Sequence, residues 1–482
     1  MKQIAPIGCF TSVVIAVAIL SSGDRLFAEA AESNRYNLKI RQSYSEVADV
    51  QVDYEVQGQL VLPGEKEAEK LDLEVTANVA YQDRLLFFGK MPGEHKEPEQ
   101  EEKFPTVRSA RYYDQVDVAM KINNQKRTPV LRDQRRLIGV QRKNTILKFH
   151  SPIGPLQREE LDLVHLPGDP YVLQLILPNK PIAIGTIWEQ DASSLAALLG
   201  LDTVGESDVK SELKNVERGY AKVELAGNIQ GATVGVASEI AIKARYYFDL
   251  RRGKIASLQM VGRELRGIGH VSPGIEATFR LKMVLEPRTD AGKLSDQELV
   301  SMRGTAHWDN QRLAYHSAVL GVSFQHDQHW FVTAEDDRAT VLRRMHRGEL
   351  IAQCNVSALP DIKKGKAITL SQFQEDIKKN LGATFGTFVN AGESTNRLGH
   401  LVYRVEVAGT ASELPVRWIY YSLTDTQGHR LALVFTMEGD LVQPFGAADR
   451  EILEHLAFVD RKSPETASPN GASNGKKESA KP

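Results

Sequence analysis

Residues 324–332, FQHDQHWFV, hold the densest set of side chains able to do chemistry in this chain: two histidines, an aspartate and a tryptophan. Imidazole nitrogen combined with carboxylate oxygen suits zinc or copper, which makes His326, Asp327 and His329 the candidate metal ligands. Spacing separates two geometries. In one continuous strand His326 and His329 point to opposite faces, and ligands on opposite faces of a sheet cannot share an ion. In a hairpin turn through HDQH the three side chains could converge, but an H-x-x-H spacing with one aspartate supplies only three local ligands. The expectation is an exposed turn that binds no metal, and no cofactor is assigned.

Other stretches carry less. KRTPVLRDQRRLIGVQRK (126–143) has seven basic residues against Asp133. It lacks the interleaved aromatics on which bases stack, so no nucleic-acid partner is expected. It reads as a strand pair with a solvated basic face, opposed to the acidic stretch 90–104 or to an anionic headgroup or wall polymer. GNIQGATVG (227–235) spaces glycines four apart without G-x-G-x-x-G and lies between strands, so it reads as a turn and not a phosphate cradle. In VRWIYYSL, Trp418 and Tyr420 share one strand face and Arg417, Ile419 and Tyr421 the other, an arrangement typical of core. G-x-S-x-G, H-E-x-x-H and Walker A sequences are absent, and no catalytic residue is assigned. Paired carboxylates from distant strands leave no local signature, so an acid/base site stays open as an alternative.

The elements that must position these groups come in two styles. The chain has 482 residues, 42% hydrophobic and 25% charged, with a net charge of −2. Those values suit two or three globular domains and give no global field toward polyanions. Lys2, the apolar run Ile7–Leu20 and AEA at 28–30 follow the order of a secretory signal, too short for a comfortable membrane span. Cys9 lies at the start of that run, away from where a lipoprotein cysteine would sit. Export leaves Cys354 alone in the mature chain, without an internal disulfide, and its apolar surroundings make it a small buried residue.

From 35 to 288 the period is two. DVQVDYEVQGQLVL (49–62), KLDLEVTANVAY (70–81), YAKVELAGNIQG (220–231) and IEATFRLKMVLEP (275–287) alternate apolar and polar, as antiparallel strands with one wet face do. YYFDLRRGKIASLQMVG (246–262) reads as a hairpin turning at Arg252-Gly253. One short helix is expected at 189–202, capped by Asp191 and stopped by Gly200. ARYY recurs at 110–113 and 244–247, but the flanking residues differ, so the repeat is read as coincidence. The prolines and glutamates of 90–104 read as an exposed loop.

Residues 289–312 form a linker with a short helix opened by Ser295 and Glu298. Beyond it strands alternate with two helices. SQFQEDIKKNLG (371–382) opens on a capping box of Ser371 and Gln374 and stops at Gly382; AADREILEHLAF (447–458) stacks Ile452, Leu453 and Leu456. VRWIYYSLTD and RLALVFTME make a hairpin through TDTQGH. The polar tail 461–482 has no core-forming residue and is expected to be disordered.

The run LGVSFQHDQHWFVTAEDDRATVLRRMHRGELIAQCNVSAL, the helix 371–382 with its four following strands, and the closing REILEHLAFVD together resemble the PsbP/Mog1-like domains. The resemblance covers 313–460 and implies an antiparallel sheet sandwiched by helices, in a family made mostly of binding and assembly factors. It carries over no functional residue. SPIGPLQREELDLV and LQLILPNKPIAIGTIWEQD resemble uncharacterised β-rich exported proteins of bacteria, and the alternating strands resemble, in architecture alone, curved-sheet carriers of lipoproteins and lipids.

The reading is therefore an α+β chain: signal 1–30, a large antiparallel β domain at 35–288 forming a curved sheet or incomplete barrel, the linker, and a PsbP/Mog1-like domain. Its expected role is that of an exported, periplasmic or extracellular, non-catalytic binding or assembly factor of the bacterial cell envelope. The expected partner is a protein or an apolar or lipid ligand, with no transmembrane segment left after signal cleavage. The alternatives are an envelope-polymer hydrolase with an interdomain acidic cleft and a purely structural envelope protein.

Overall fold

The computed structural model describes residues 35–86, 105–302 and 311–460. The signal 1–30 with Cys9, the loop 90–104 and the tail 461–482 lie outside the described residues.

The first sheet is built by thirteen strands: β1 (Val47–Leu62), β2 (Glu69–Leu85), β3 (Val107–Ile122), β4 (Gln125–Arg127), β5 (Leu137–Lys143), β6 (Ile146–His150), β7 (Ile187–Glu189), β8 (Thr203–Ser207), β9 (Lys210–Glu217), β10 (Tyr220–Thr233), β11 (Val236–Asp249), β12 (Lys254–Arg266) and β13 (Gly274–Pro287). Their order is β6-β5-β3-β2-β1-β13-β12-β11-β10-β9-β7, with β4 added to β3 and β8 to β10. The first and last long strands, β1 and β13, pair at the centre from Ala48 opposite Pro287 to Val61 opposite Gly274. The sheet stays open, with β6 and β7 at its edges.

Period-two alternation explains the two faces. In β10, Ala221, Val223, Leu225 and Ile229 are buried while Glu224 and Ala226 stay near solvent. A face this large needs a cover, and the chain supplies one in three short helices, α1 (Arg158–Val164), α2 (Pro170–Leu173) and α3 (Ala192–Leu199). Leu161, Leu173, Leu195 and Leu198 from this segment share one core with Val50, Val79, Leu225, Ile240, Leu258 and Leu281 of the strands. The apolar face of the sheet is thus covered by the chain's own helices. α3 starts and stops as its sequence predicts: Asp191 accepts from the Ser193 and Ser194 amides at 3.0 and 3.2 Å, and Gly200 takes a left-handed φ of 70°.

The linker contributes a 3-10 helix, Glu298–Met302, with Ser295 Oγ accepting the Glu298 amide at 3.3 Å. Leu299 and Met302 pack with Val47 and Ala110, so it docks on the sheet.

After it come β14 (Leu313–Ser317), β15 (Val322–His326), β16 (Trp330–Glu335), β17 (Ala339–His346), β18 (Glu349–Leu359), α4 (Leu370–Leu381), β19 (Phe385–Thr395), β20 (Leu401–Ala411), β21 (Leu414–Thr424), β22 (Arg430–Glu438), α5 (Val442–Phe445), α6 (Ala448–Glu454) and β23 (Ala457–Phe458). Seven of these strands form a second sheet, β16-β17-β18-β22-β21-β20-β19, and β14-β15-β23 form a third. A parallel bridge from Leu156 to Leu313, with Ala314 N–H donating to the Leu156 carbonyl at 2.8 Å, ties this half to the first.

Here the α+β expectation needs correcting. Strands take 54% of the described residues and helices 15%, so this is a mainly β protein built on large antiparallel sheets. One face of the seven-stranded sheet carries α4, whose Phe373 and Ile377 pack on Val405, Val407 and Trp418. The other face is covered by the three-stranded sheet with the four-residue α5 and seven-residue α6, through Phe324, Phe445 and Ile452 against Cys354, Val356 and Phe435. Much of what the helix-sandwich reading assigned to a helical layer is thus supplied by β14, β15 and β23. The capping box of α4 also shifts by two residues, to Thr369 and Gln372; Ser371, read as the cap, lies inside the helix.

Candidate binding cavity

At one end of the first sheet, strand alternation breaks. On β3, Val116, Val118 and Met120 face inward, but a bulge at Asp114 leaves that residue without a partner between Gln115, opposite Ala80, and Tyr113, opposite Tyr81. An extra residue reverses the phase. Beyond the bulge, Tyr113 and Arg111 point into the core, and Arg111 is 1% exposed.

A buried guanidinium requires partners. Arg111 Nε donates to Asp83 Oδ2 at 2.7 Å, and its two terminal nitrogens donate to Asp169 Oδ2 and Oδ1 at 2.6 and 3.1 Å. Asp169 also accepts from the Tyr171 amide at 2.9 Å, capping α2, and the Tyr171 hydroxyl donates to Asp83 Oδ1. Arg111 lies 4.9 Å from the Tyr81 ring centroid and 5.2 Å from that of Tyr171. Burial raises the Asp83 carboxyl above its ordinary range, against the opposing pull of Arg111 and Tyr171, while Asp169 adds a like charge. Burial also pushes the Tyr113 phenol up to about 12.

Asp83 and Tyr171 form the polar back wall of a cavity of about 80 Å³, whose other walls include Val50, Leu85, Val107 and Leu285. Glu46, Arg252 and Lys254, each about a quarter exposed, complete the lining; Arg252 pairs with Glu46, and burial lowers the Lys254 amine. Compared with the roughly 150 Å³ of a cavity that takes benzene, this space fits a short aliphatic group and not an acyl chain. Both carboxylates are committed to Arg111, Tyr171 or backbone. The site offers a shaped surface on which the Asp83 carboxylate is already engaged, with Glu286 and Lys254 also on its lining. Sequence reading missed this cluster; the one signal was a phase break in RYYDQVDV, where the apolar Tyr113 and Val116 lie an odd number of residues apart.

Of the candidate metal ligands, the structure brings Asp327 and His329 together, with His329 Nδ1 3.7 Å from Asp327 Oδ1. His326 ends β15, Trp330 begins β16 in another sheet, and the turn between them is the expected one. His326, however, is buried, at 3% exposure, and its Nδ1 donates to the Asp327 carbonyl at 2.7 Å. Asp327 pairs with Arg344 and accepts the His329 amide at 2.8 Å, while the His329 ring is half exposed. Among the described residues no group of three or more His, Cys, Asp or Glu is placed to hold a metal.

Burial lowers the His326 pKa, reinforced by nearby Arg158 and opposed by its bond to the Asp327 carbonyl. A depressed histidine contributes its stability above the unfolded value of about 6.5 and loses it as pH falls through the folded value. Urea unfolding from pH 7.5 to 5 should show stability falling, with a shallower fall in His326→Gln. Equal slopes would exclude this group as a contributor.

The basic stretch is a solvated face only in part: Lys126, Arg127 and Lys143 are exposed, while others are engaged. Arg132 clamps the buried Glu160, Arg136 Nη1 donates to the Tyr113 and Asp114 carbonyls at 2.9 and 2.8 Å, and Arg142 is 3% exposed with its guanidinium on the Pro105 and Asn144 carbonyls. GNIQGATVG is mostly strand β10, and only Val234-Gly235 turn, with φ of 48° and 77°. Trp418 and Tyr420 pack beneath α4, and Ile419 and Tyr421 belong to the opposite core. Cys354 is free and buried.

Neither a family model nor a curated protein matches this sequence. Among solved structures, cyanobacterial PsbP (CyanoP) from Synechocystis sp. PCC 6803 aligns at 13% identity over 31% of this chain and 92% of its own, with a TM-score of 0.25. The translocator domain of autotransporter NalP from Neisseria meningitidis aligns at 8% identity over 86% and 93%, TM-score 0.12. OccK5 (OpdH) of Pseudomonas aeruginosa aligns at 8% over 82% and 99%, TM-score 0.13. Likenesses at these scores carry no argument about fold or function. No helix among the described residues is long and apolar enough to cross a membrane, which says nothing of strands.

Proposed function

We propose that the chain is an exported, non-catalytic binding or assembly factor of the bacterial cell envelope. The observation that carries this reading is the apolar cavity beside Asp83, whose carboxylate is engaged by Arg111 and Tyr171 and whose walls come from strands and α2. The engaged carboxylate of buried Asp83 favours recognition over acid–base catalysis at that residue, since a general base needs a free lone pair within reach of its substrate. Export rests on the order of Lys2, Ile7–Leu20 and AEA, and the docking role of the second half rests on the sequence resemblance to PsbP/Mog1-like domains.

The size of the cavity favours a protein segment over a lipid as occupant: a short aliphatic side chain fills it, and the space an acyl chain would need is taken by α1–α3. Native mass spectrometry of the mature protein purified from its own host's envelope tests the reading. The expected result is bound mass of peptide or subunit size, lost on denaturation and absent from Ala48→Phe, which fills the cavity. A bare chain, or an adduct unchanged in Ala48→Phe, would sink it.

A further inference from the structure

A second concavity, of about 430 Å³, lies at the far edge of the seven-stranded sheet, where β19 and β20 extend past α6. Gly392, Arg404 and Tyr421 stand in line across β19, β20 and β21. A Cβ on Gly392 would meet nothing within 4 Å, so the glycine leaves Arg404 uncovered on its solvent side.

Arg404 is held from behind. Its Nε donates to the Tyr421 hydroxyl and to Asp449 Oδ2, both at 3.0 Å, and its Nη1 to Glu406 Oε2 at 3.0 Å. Asp449 is 1% exposed and also accepts from the Tyr421 hydroxyl at 2.7 Å. Nη2 has no hydrogen bond among the described residues, and Arg404 and Tyr421 line the concavity while Asp449 and Glu406 do not. Arg450 on α6 lines the same space with no ion pair or side-chain hydrogen bond among the described residues.

The charges do not cancel. Arg404 and Arg417 face Asp449 and Glu406, and Arg397 pairs with Glu454, which leaves Arg450 in excess. Glu393 also contributes to the lining, but its register with Tyr403 sets its side chain on the opposite face of the sheet from Arg404. Two guanidiniums, one held by Tyr421, Asp449 and Glu406 and one on a helix, with Ser394 on the same lining, match the planar, multidentate recognition of an oxyanion.

We propose that this shelf binds a phosphate or carboxylate group, carried by a soluble ligand or a lipid headgroup, between Arg404 and Arg450. The site is independent of the cavity beside Asp83.

Equilibrium dialysis of the full chain against radiolabelled inorganic phosphate at low chloride tests it, together with flotation on vesicles containing phosphatidylglycerol. One phosphate per chain is expected, with affinity falling at least tenfold in Gly392→Leu and in Arg450→Gln and unchanged in Arg338→Gln on the opposite edge. The leucine enters open space, and far-UV circular dichroism verifies that both variants fold. Vesicle binding without phosphate binding, lost in the same two variants, assigns the anion to a headgroup. Binding of neither probe, or binding that survives either substitution, overturns the proposal.

Discussion

Arg111→Ala should destabilise the protein by about 3–5 kcal/mol, because it leaves Asp83 and Asp169 buried without their cation. The two carboxylate side chains are 8% and 5% exposed, so water cannot replace the guanidinium without opening the sheet end. Asp83→Asn should cost much less, since Asp169 alone still balances Arg111. Combined with Arg111→Ala it should recover part of the loss, which a double-mutant cycle in guanidinium unfolding measures. The pH dependence follows from the raised Asp83 carboxyl. Its stability contribution is full below the unfolded value of about 3.9 and is lost as pH rises through the folded value, so Asp83→Asn should flatten that part of the profile. A loss below about 1 kcal/mol for Arg111→Ala would mean that the cluster is not a mutually dependent network.

Trp330→Ala should cost a similar amount, about 3–5 kcal/mol. The indole is 1% exposed and packs edge-on against Phe435 and Phe445, with centroids 5.9 and 6.4 Å away, where β16 meets the core between the second and third sheets. Trp330→Phe keeps most of the ring contact and should lose less than half as much. Near-UV circular dichroism through a denaturant series reads both values; equal losses for the two substitutions would show that the ring edge contacts contribute nothing.

Much of the strand content was legible because an alternating sequence has one low-energy way to hide its apolar face. The hairpin at Arg252-Gly253 and the caps of α3 were readable for the same local reason: a φ near +70° or an orphan amide requires a particular side chain. The covering layers were not readable. Residues 313–326 contain strands that pack across a sheet from distant partners, and nothing in their local pattern says that they replace a helix. The candidate site was illegible in a different way. HDQH drew attention by composition, yet Asp327 is bound to Arg344, seventeen positions away in sequence and adjacent only across the fold.

The tetrapeptide ARYY marks the boundary between what sequence alone determined and what needed the tertiary structure. Composition and period determined that both copies lie in half-buried strands, β3 and β11. In β11 the even positions face inward, so Tyr246 is buried and Arg245 reaches the polar face, where it bonds Gln259. In β3 the inward positions are Arg111 and Tyr113, because one bulge residue, Asp114, reverses the phase. The same four side chains become a wet arginine in one strand and the buried centre of a charge cluster in the other. Local propensity does not separate the two outcomes, since the free energy that buries Arg111 comes from Asp83 and Asp169, which only the assembled sheet and α2 bring within hydrogen-bond reach.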